Sequence, residues 1–128
     1  MPVPILKQGP CLVASIQSML TDADWRDLQQ QLLEQVGRFR SRAVLVDVTA
    51  LDVLDSFATR TLRSIVDATR LRGAETVLIG IQPEVALAMV RLGLTARFQD
   101  VATALDLEEG LAHVEAGRRH KGGDGRDR

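Results

Sequence analysis

Two short runs of almost continuously apolar residues constrain the fold of this chain more than any other feature. Residues 43–48 read Ala-Val-Leu-Val-Asp-Val and residues 76–81 read Thr-Val-Leu-Ile-Gly-Ile. A strand this apolar is covered on both faces, which is typical of a parallel sheet flanked by helices. The segment between the two runs has helical periodicity, so the sequence predicts a strand–helix–strand crossover of an α/β fold.

The N-terminal part of the sequence adds a hairpin and an amphipathic helix. Apolar residues 3–6 and 11–16 flank a Lys-Gln-Gly-Pro segment, whose Gly-Pro pair is typical of a turn. Thr21 then suits an N-cap, and apolar residues recur at spacings of three and four until Gly37, near the predicted end of the helix. The buried side of this helix is predicted to comprise Trp25, Leu28, Leu32 and Val36.

The C-terminal part predicts two more helices and a short strand. Pro83 suits the first turn of a helix that runs to about Leu92 and stops at Gly93. The last helix is predicted from Asp106, with Glu109 as a capping-box-like partner. The element order β-β-α-β-α-β-α-(β)-α predicts one α/β domain with a mixed sheet of four to five strands and about four helices.

The folded domain is expected to occupy residues 1–116. Residues 117–128 consist of Arg, His, Lys, Gly and Asp and offer no apolar side chain to bury. We therefore predict a disordered charged tail over this segment.

The charge and aromatic content of the chain disfavour several kinds of partner. The formal net charge is −1, which leaves no basic field to attract nucleic acid or an anionic membrane. Aromatic residues make up only 3% of the sequence and Tyr is missing, which disfavours base stacking. The sequence shows neither a signal peptide nor a membrane-spanning stretch, so we expect a soluble, cytoplasmic protein. The single cysteine, Cys11, is expected to be a buried, inert thiol.

The sequence lacks most of the patterns that are typical of catalytic and metal-binding sites. No glycine-rich nucleotide-binding motif follows a predicted strand, and Cys11, His113 and His120 lack the spacing of metal ligands. A small serine hydrolase that uses Ser56 is a distant alternative, because the flanking glycines of a nucleophile elbow are missing and His113 is the sole candidate base. We predict no enzymatic activity, no metal and no cofactor. A small-ligand sensor stays open, although no residue pattern identifies a ligand.

The turn between the first buried strand and the following helix is the informative segment. It places Ser56 at or next to a helix N-terminus, where free N–H groups and the helix dipole favour an anion. One interpretation is that Asp55 or Ser56 is simply the helix cap, which contributes about 1 kcal/mol. The other is that the hydroxyl of Ser56 is a phosphorylation site.

Phosphorylation of Ser56 would change the surface charge sharply. A phosphate adds about −1.5 to −2 charges and three strong acceptor oxygens. Arg60, one turn along the helix, could pair with it, and Arg63 could do so less directly. Asp52 and Asp55 would repel it, so the modification is expected to alter docking more than folding.

Several short motifs, in order, resemble one protein family. The matching segments are Pro4-Ile5-Leu6-Lys7, Ser15-Ile16-Gln17, Leu54-Asp55-Ser56-Phe57, Gly80-Ile81-Gln82-Pro83 and Ala104-Leu105-Asp106-Leu107-Glu108-Glu109-Gly110-Leu111. Together they resemble stand-alone STAS proteins of the RsbS type, the minimal scaffold subunits of the bacterial stressosome. The resemblance extends from about residue 3 to residue 114.

The resemblance implies a fold, a modification and partners. It implies the STAS α/β fold, a phosphorylated serine at Ser56, capture of a GHKL-type serine kinase, and release of that kinase on phosphorylation. It also implies co-assembly with sensor-bearing STAS paralogues and self-association through STAS domains; this chain has no room for a sensor of its own. The surface expected to face the kinase comprises Asp52, Asp55, Phe57, Thr59, Arg60, Gln82 and Pro83.

A second member of the same fold family provides an alternative. Anti-anti-sigma factors usually carry Asp-Ser-Ser-Gly at this turn, whereas Phe57 and Ala58 occupy the last two positions here. This difference favours the stressosome type. The alternative is an anti-anti-sigma factor that binds an anti-sigma kinase directly, in a small complex instead of a large assembly.

Overall fold

The computed structural model describes the backbone of residues 3–126 and the side chains of residues 3–117. Its five strands are β1 Ile5–Gln8, β2 Cys11–Ser15, β3 Ala43–Asp47, β4 Glu75–Ile79 and β5 Ala102–Ala104. They form one sheet in the order β1-β2-β3-β4-β5. The hairpin of β1 and β2 is antiparallel, and all other pairs are parallel. The predicted mixed sheet is thereby confirmed.

Four α-helices and one 3₁₀ turn connect and follow the strands. The helices are α1 Asp22–Phe39, α2 Ser56–Leu71, α3 Pro83–Arg91 and α4 Leu107–Arg126, and a 3₁₀ turn spans Thr95–Phe98. The predicted number and order of helices are confirmed. None of these helices in residues 3–126 combines the length and the apolar character needed to cross a bilayer.

The sheet is covered on both faces, as the apolar runs predicted. One face bears Leu12, Val44, Val46 and Leu78 and packs against buried residues of α1, α2 and α3. The other face carries the alternating neighbours of those residues and packs against α4; it comprises Cys11, Val13, Ala43, Leu45, Val77, Ile79 and Ala104. Two-sided burial leaves no polar position inside β3 before Asp47, which is why the run reads as continuously apolar.

Element boundaries differ from the prediction by one or two residues at several places, most clearly at β1 and at the end of α1. The first strand extends to Gln8, because the hairpin loop contains only two residues and pairing continues up to it, with Gln8 opposite Cys11. Helix α1 begins at the predicted cap, where Thr21 and Asp24 form a reciprocal capping box. It passes Gly37 and ends at a left-handed Arg40, with φ of 50°.

Most side chains of the predicted disordered tail, those of residues 118–128, lie outside the described part of the structure. The backbone of α4 continues to Arg126, beyond the expected domain end at residue 116. Disorder of residues 117–128 stays a prediction.

Candidate functional site

The three central parallel strands end side by side and gather the loops that follow them at one edge of the sheet. Ser15, Asp47 and Ile79 are aligned in the register of β2, β3 and β4. The loops after β3 and β4 therefore meet at this edge, where the loop that leads to Ser56 contacts the residue before α3. In open α/β sheets such carboxyl edges are where binding sites collect.

Three hydrogen bonds between Thr49 and two other side chains hold the β3–α2 loop in place. The carboxylate of Asp47 accepts hydrogen bonds from the backbone N of Thr49 at 2.9 Å and from its Oγ1 at 2.5 Å. The side-chain Nε2 of Gln82 donates to the carbonyl oxygen of Thr49 at 2.6 Å. The side-chain amide nitrogen of Gln82, a predicted partner contact, is therefore hydrogen-bonded within the domain. Half-buried Gln82 thus joins the loop after β4 to the loop after β3.

Gly80 permits this close approach of the two loops. Its φ is 75°, in the left-handed region that favours glycine. A Cβ atom built there would lie only 1.8 Å from the Oγ1 of Thr49. Asp47, Thr49 and Gly80 were not predicted as part of the site. The signal for them was the Asp-x-Thr at the end of one strand and the glycine at the end of the next.

Asp55, and not Ser56, caps α2. Asp55 has extended backbone dihedral angles, and its Oδ1 accepts a hydrogen bond from the N of Ala58 at 2.8 Å. The carbonyl oxygen of Asp55 also accepts from the Oγ1 of Thr59 at 2.8 Å. Ser56 is the first helical residue and is exposed, and no hydrogen bond of its hydroxyl occurs among residues 3–117. The choice between Asp55 and Ser56 as the cap is therefore settled in favour of Asp55.

The structure separates the two arginines that could pair with a phosphate on Ser56. Arg60 is exposed and has no hydrogen bond or ion pair to any residue in the described part of the chain. Arg63 instead donates to both carboxylate oxygens of Asp100, at 2.7 and 3.1 Å, as well as to the carboxylate of Asp67 and the carbonyl oxygen of Arg97. These hydrogen bonds, first with Asp100 and then with Asp67, raise the pKa of the Arg63 guanidinium. Because Arg63 already forms these hydrogen bonds, it is not available to pair with a phosphate on Ser56, contrary to the prediction.

Two predicted partner contacts, Phe57 and Thr59, are partly or fully covered within the domain. Thr59 is 1% exposed and lies on the buried stripe of α2, so it does not fit a direct contact with a partner. Phe57 is half-buried, and the guanidinium of Arg26 lies 5.3 Å from the centre of its ring. Such a contact is a cation–π interaction, and it adds Arg26 of α1 to the residues around Ser56. No sequence signal could have identified Arg26, because the contact joins two helices distant in the chain.

The remaining predicted residues are accessible at this edge. Asp52, Asp55 and Pro83 are exposed, and Pro83 is the first residue of α3. Two exposed apolar side chains, missed by the sequence analysis, lie in loops of the same edge: Met19 is 62% exposed and Val53 is 54% exposed. No sequence signal distinguished them from Leu20 and Leu54, the apolar neighbours in the same loops. Apolar side chains beside exposed charges are typical of a protein-docking surface.

Among residues 3–117, the arrangement offers Ser56 no catalytic partner. His113, the candidate base of the hydrolase alternative, lies 3.4 Å from Glu75, the first residue of β4, at the opposite edge of the sheet. Cys11 is buried at the start of β2, also at the opposite edge. No group of three metal-ligating side chains occurs among the described residues.

Comparisons with known proteins agree with this architecture. The model of the STAS domain family matches residues 3–110. Among curated proteins of Bacillus subtilis (strain 168), the RsbT co-antagonist protein RsbRD is 31% identical over 88 residues, which are 69% of this chain and 31% of the relative. The RsbT co-antagonist protein RsbRA is 34% identical over 84 residues, 66% of this chain and 30% of the relative. The chain thus spans less than a third of the length of these relatives.

Solved structures provide longer matches. A Ser-to-Glu variant of RsbS from Moorella thermoacetica is 34% identical with a TM-score of 0.79, and the match covers 91% of this chain and 97% of that one. A chain of a stressosome structure, described as a signal integration and transduction hub, is 35% identical with a TM-score of 0.77 and covers 91% and 99% of the two chains. A putative anti-sigma factor antagonist from Thermotoga maritima, 12% identical with a TM-score of 0.73 over 88% of this chain and 94% of that one, shares the fold.

The predicted relationship is confirmed by sequence and structure together. The names of the relatives describe antagonists and a signalling hub, and none of the matches described above is to an enzyme family. The five-stranded sheet, the four helices and the family match over residues 3–110 converge on one conclusion. This chain belongs to the STAS domain family and is similar to the RsbR and RsbS proteins of stressosome signalling.

Proposed function

We propose that this protein is a non-catalytic phospho-switch scaffold of a stressosome-like complex. It holds a GHKL-type serine kinase and releases it when Ser56 is phosphorylated. The observation that carries this proposal is the division of roles at the start of α2, where Asp55 caps the helix and leaves the hydroxyl of Ser56 exposed and unbonded among the described residues. Phosphorylation can therefore change this surface without removing a hydrogen bond of the fold.

The charge of the surroundings explains why a phosphate would act on docking. It would add about two negative charges next to Asp52 and Asp55, and Arg60, which has no ion pair among residues 3–117, lies one turn away. The first turn of α2 favours an anion through its dipole, so the helix tolerates the modification. A kinase that docks over exposed Met19 and Val53 would have to desolvate that added charge. The same modification therefore leaves the fold intact and weakens the complex.

The relatives support the proposed partners. Two of them are RsbT co-antagonists and one solved structure is a stressosome, so an antagonised partner and an assembly of STAS proteins are the natural expectation. We infer co-assembly with sensor-bearing STAS paralogues and self-association, in the cytoplasm. The kinase surface comprises exposed Asp52, Asp55, Arg60 and Pro83 with partly buried Phe57, and Thr59 and Gln82 support it from within.

The test is phosphorylation of the full chain by a partner kinase. The protein is incubated with Mg-ATP and the kinase, and intact-mass and peptide mass spectrometry locate any phosphate. We expect a single phosphate on Ser56, and none on the matched Ser56→Ala variant. Unmodified protein, beside a kinase shown to be active on another substrate, would refute the switch.

The size of the assembly separates this proposal from the alternative of direct antagonism. Size-exclusion chromatography with light scattering is applied to the chain mixed with its kinase and its STAS paralogues. A large complex that contains the paralogues supports the scaffold role. A small complex of this chain and one kinase would favour an anti-anti-sigma factor instead.

A further inference from the structure

Three arginines from two neighbouring turns gather where the parallel strands begin, at the edge of the sheet opposite Ser56. The turn between α1 and β3 contains Arg40 and Arg42, and the turn between α2 and β4 contains Arg72. The two turns meet, because the backbone N of Glu75 donates to the carbonyl oxygen of Arg42 at 3.0 Å. All three arginines are exposed, and they line one cavity of about 600 Å³.

The positive charge of this cavity is not balanced by the protein. The side chains of Arg40, Arg42 and Arg72 form no hydrogen bond or ion pair with any residue in the range 3–117. No carboxylate occurs among the described residues that line the cavity. Arg63, by contrast, is paired with Asp100. Three guanidinium groups around one cavity repel each other, so an anion that binds between them is attracted by all three.

A buried hydroxyl opens into the same cavity. Ser41 is 6% exposed and is one of the lining residues. Its hydroxyl forms no hydrogen bond within the part of the chain whose side chains are described. No polar side-chain atom in that part is both fully buried and without a hydrogen-bond partner, so the oxygen of Ser41 is reached from the cavity. Ser41 thus offers a ligand one hydrogen bond from a buried position beside the guanidinium groups.

Two locally unfavourable residues place the arginines. Arg40 has a φ of 50° and is the one residue other than glycine in the left-handed region among residues 3–126. Gly37 lies inside α1 although glycine disfavours helices, and a Cβ atom there would overlap the Nη2 of Arg72. The guanidinium of Arg72 therefore lies against the end of α1. Stabilisation of helix ends accounts for Arg40 and Arg72 but not for Arg42, which precedes a strand.

We propose that this cavity, lined by Arg40, Ser41, Arg42 and Arg72, binds the phosphate chain of a small polyphosphate. The planar guanidinium group matches two oxygens of a phosphate, and three positive charges suit a ligand with several negative charges. No aromatic side chain occurs among the described lining residues, so a nucleobase has no ring to stack on. The recognised feature is therefore the linked phosphates, whether they belong to an inorganic polyphosphate or to a nucleotide.

This site is separate from the proposed switch. The cavity lies at the ends where β3 and β4 begin, and the loop that leads to Ser56 lies where β3 ends. Neither the kinase nor the hydroxyl of Ser56 takes part in the binding. The two proposals can therefore fail separately, because ligand binding is measured on the chain alone and the switch is measured by phosphorylation.

The experiment is isothermal titration calorimetry of the full chain with sodium tripolyphosphate, without divalent cations. We expect a dissociation constant of about 100 µM or lower at about 50 mM salt. It should weaken at least about fivefold at about 300 mM salt, because the arginines are exposed. Arg42→Gln should weaken binding at least about tenfold. Arg91→Gln, which removes the same charge from exposed α3, is the matched control and should stay within about twofold of the wild type.

A second variant separates binding from folding. Glycine suits the left-handed backbone of residue 40, so Arg40→Gly should not lower the melting temperature. It should nevertheless weaken tripolyphosphate binding at least about tenfold, because it removes one of the three guanidinium groups. Tripolyphosphate should also raise the melting temperature of the wild type, since it binds the folded chain. Unchanged binding by Arg40→Gly would contradict the proposed site.

Two other ligands identify what is recognised. ATP carries the same three linked phosphates and should bind within about tenfold of tripolyphosphate, because the cavity has no described aromatic residue for its base. A larger preference for ATP would overturn recognition through phosphates alone. A hexaglutamate peptide that binds more tightly than tripolyphosphate would assign the cavity to an acidic protein segment instead. Equal losses for Arg42→Gln and Arg91→Gln, or no binding of tripolyphosphate at about 1 mM, would also overturn the proposal.

Discussion

Replacement of Asp55 by Ala should destabilise the domain, whereas replacement of Ser56 by Ala should not. The two residues are adjacent and both are exposed, and either could have been the cap by sequence alone. In the structure the carboxylate of Asp55 accepts from the N of Ala58, and no hydrogen bond of the Ser56 hydroxyl occurs among the described residues. The pair of variants therefore separates the residue needed for folding from the residue available for modification.

The size of the effect follows from the single hydrogen bond that is lost. Removal of an N-cap side chain costs about 1 kcal/mol, within a range of about 0.5–2 kcal/mol. For a chain of this length the melting temperature should fall by about 3–6 °C. Ser56→Ala removes no hydrogen bond that occurs among residues 3–117 and places a good helix former at the first helical position, so its effect should stay within about 0.5 kcal/mol.

Urea unfolding measures the change in the free energy of unfolding for both variants. Circular dichroism follows the helices, and fluorescence follows Trp25, the sole tryptophan, which is 3% exposed in the core beside the sheet. Asp55→Asn is the matched control, because Asn caps helices about as well as Asp, and it should retain most of the stability. Equal losses for Asp55→Ala and Ser56→Ala would refute the assignment of the cap. They would also remove the main support for Ser56 as a residue free to be modified.

Three further predictions test the switch, the loop and the ion pairs. Ser56→Asp should reduce kinase recovery in a pull-down at least about tenfold, with Ser56→Ala binding as the wild type does, because only the former adds charge. Gly80→Ala should cost at least about 2 kcal/mol in thermal unfolding, since φ is 75° and its Cβ would overlap Thr49. Hydrogen bonds from Arg63 above all lower the pKa of Asp100, so the stability they provide is present above the ordinary value of 3.8 and lost as the pH falls below it. Acid unfolding of Arg63→Gln should lack this component, and an unchanged acid profile would contradict it.

The parts of the fold predicted well are those that local patterns determine. The apolar runs at 43–48 and 76–81 identified β3 and β4. A strand that is buried on both faces is apolar at nearly every position, so it stands out without any alternation of apolar and polar residues. Thr21 was identified as a cap because it directly precedes an apolar pattern with helical spacing, which is a local signal, and the structure adds its capping box with Asp24. The first strand was placed too early, because its end depends on how tightly the hairpin turns.

The sequence predicted where the site lies in the fold, but not which side chains contact each other there. The position of Ser56 follows from the strand and helix beside it, which are local features. The pairing of Arg26 with Phe57 and of Gln82 with Thr49 depends on how distant segments pack, and no spacing in the sequence reveals it. Thr59 was predictable in principle, since it stands three and seven residues before buried Leu62 and Val66 and so shares their stripe.

The hydrogen bond between Gln82 and Thr49 connects the start of α3 to the loop that leads to the Ser56 turn. Gln82 directly precedes α3, and Thr49 lies two residues beyond the end of β3. Because Asp47 also accepts hydrogen bonds from Thr49, both segments are attached to the carboxyl ends of β3 and β4, in the central part of the sheet. Under the proposed switch, a charge added at Ser56 would therefore act on a kinase docked at this edge directly, without a rearrangement of the domain.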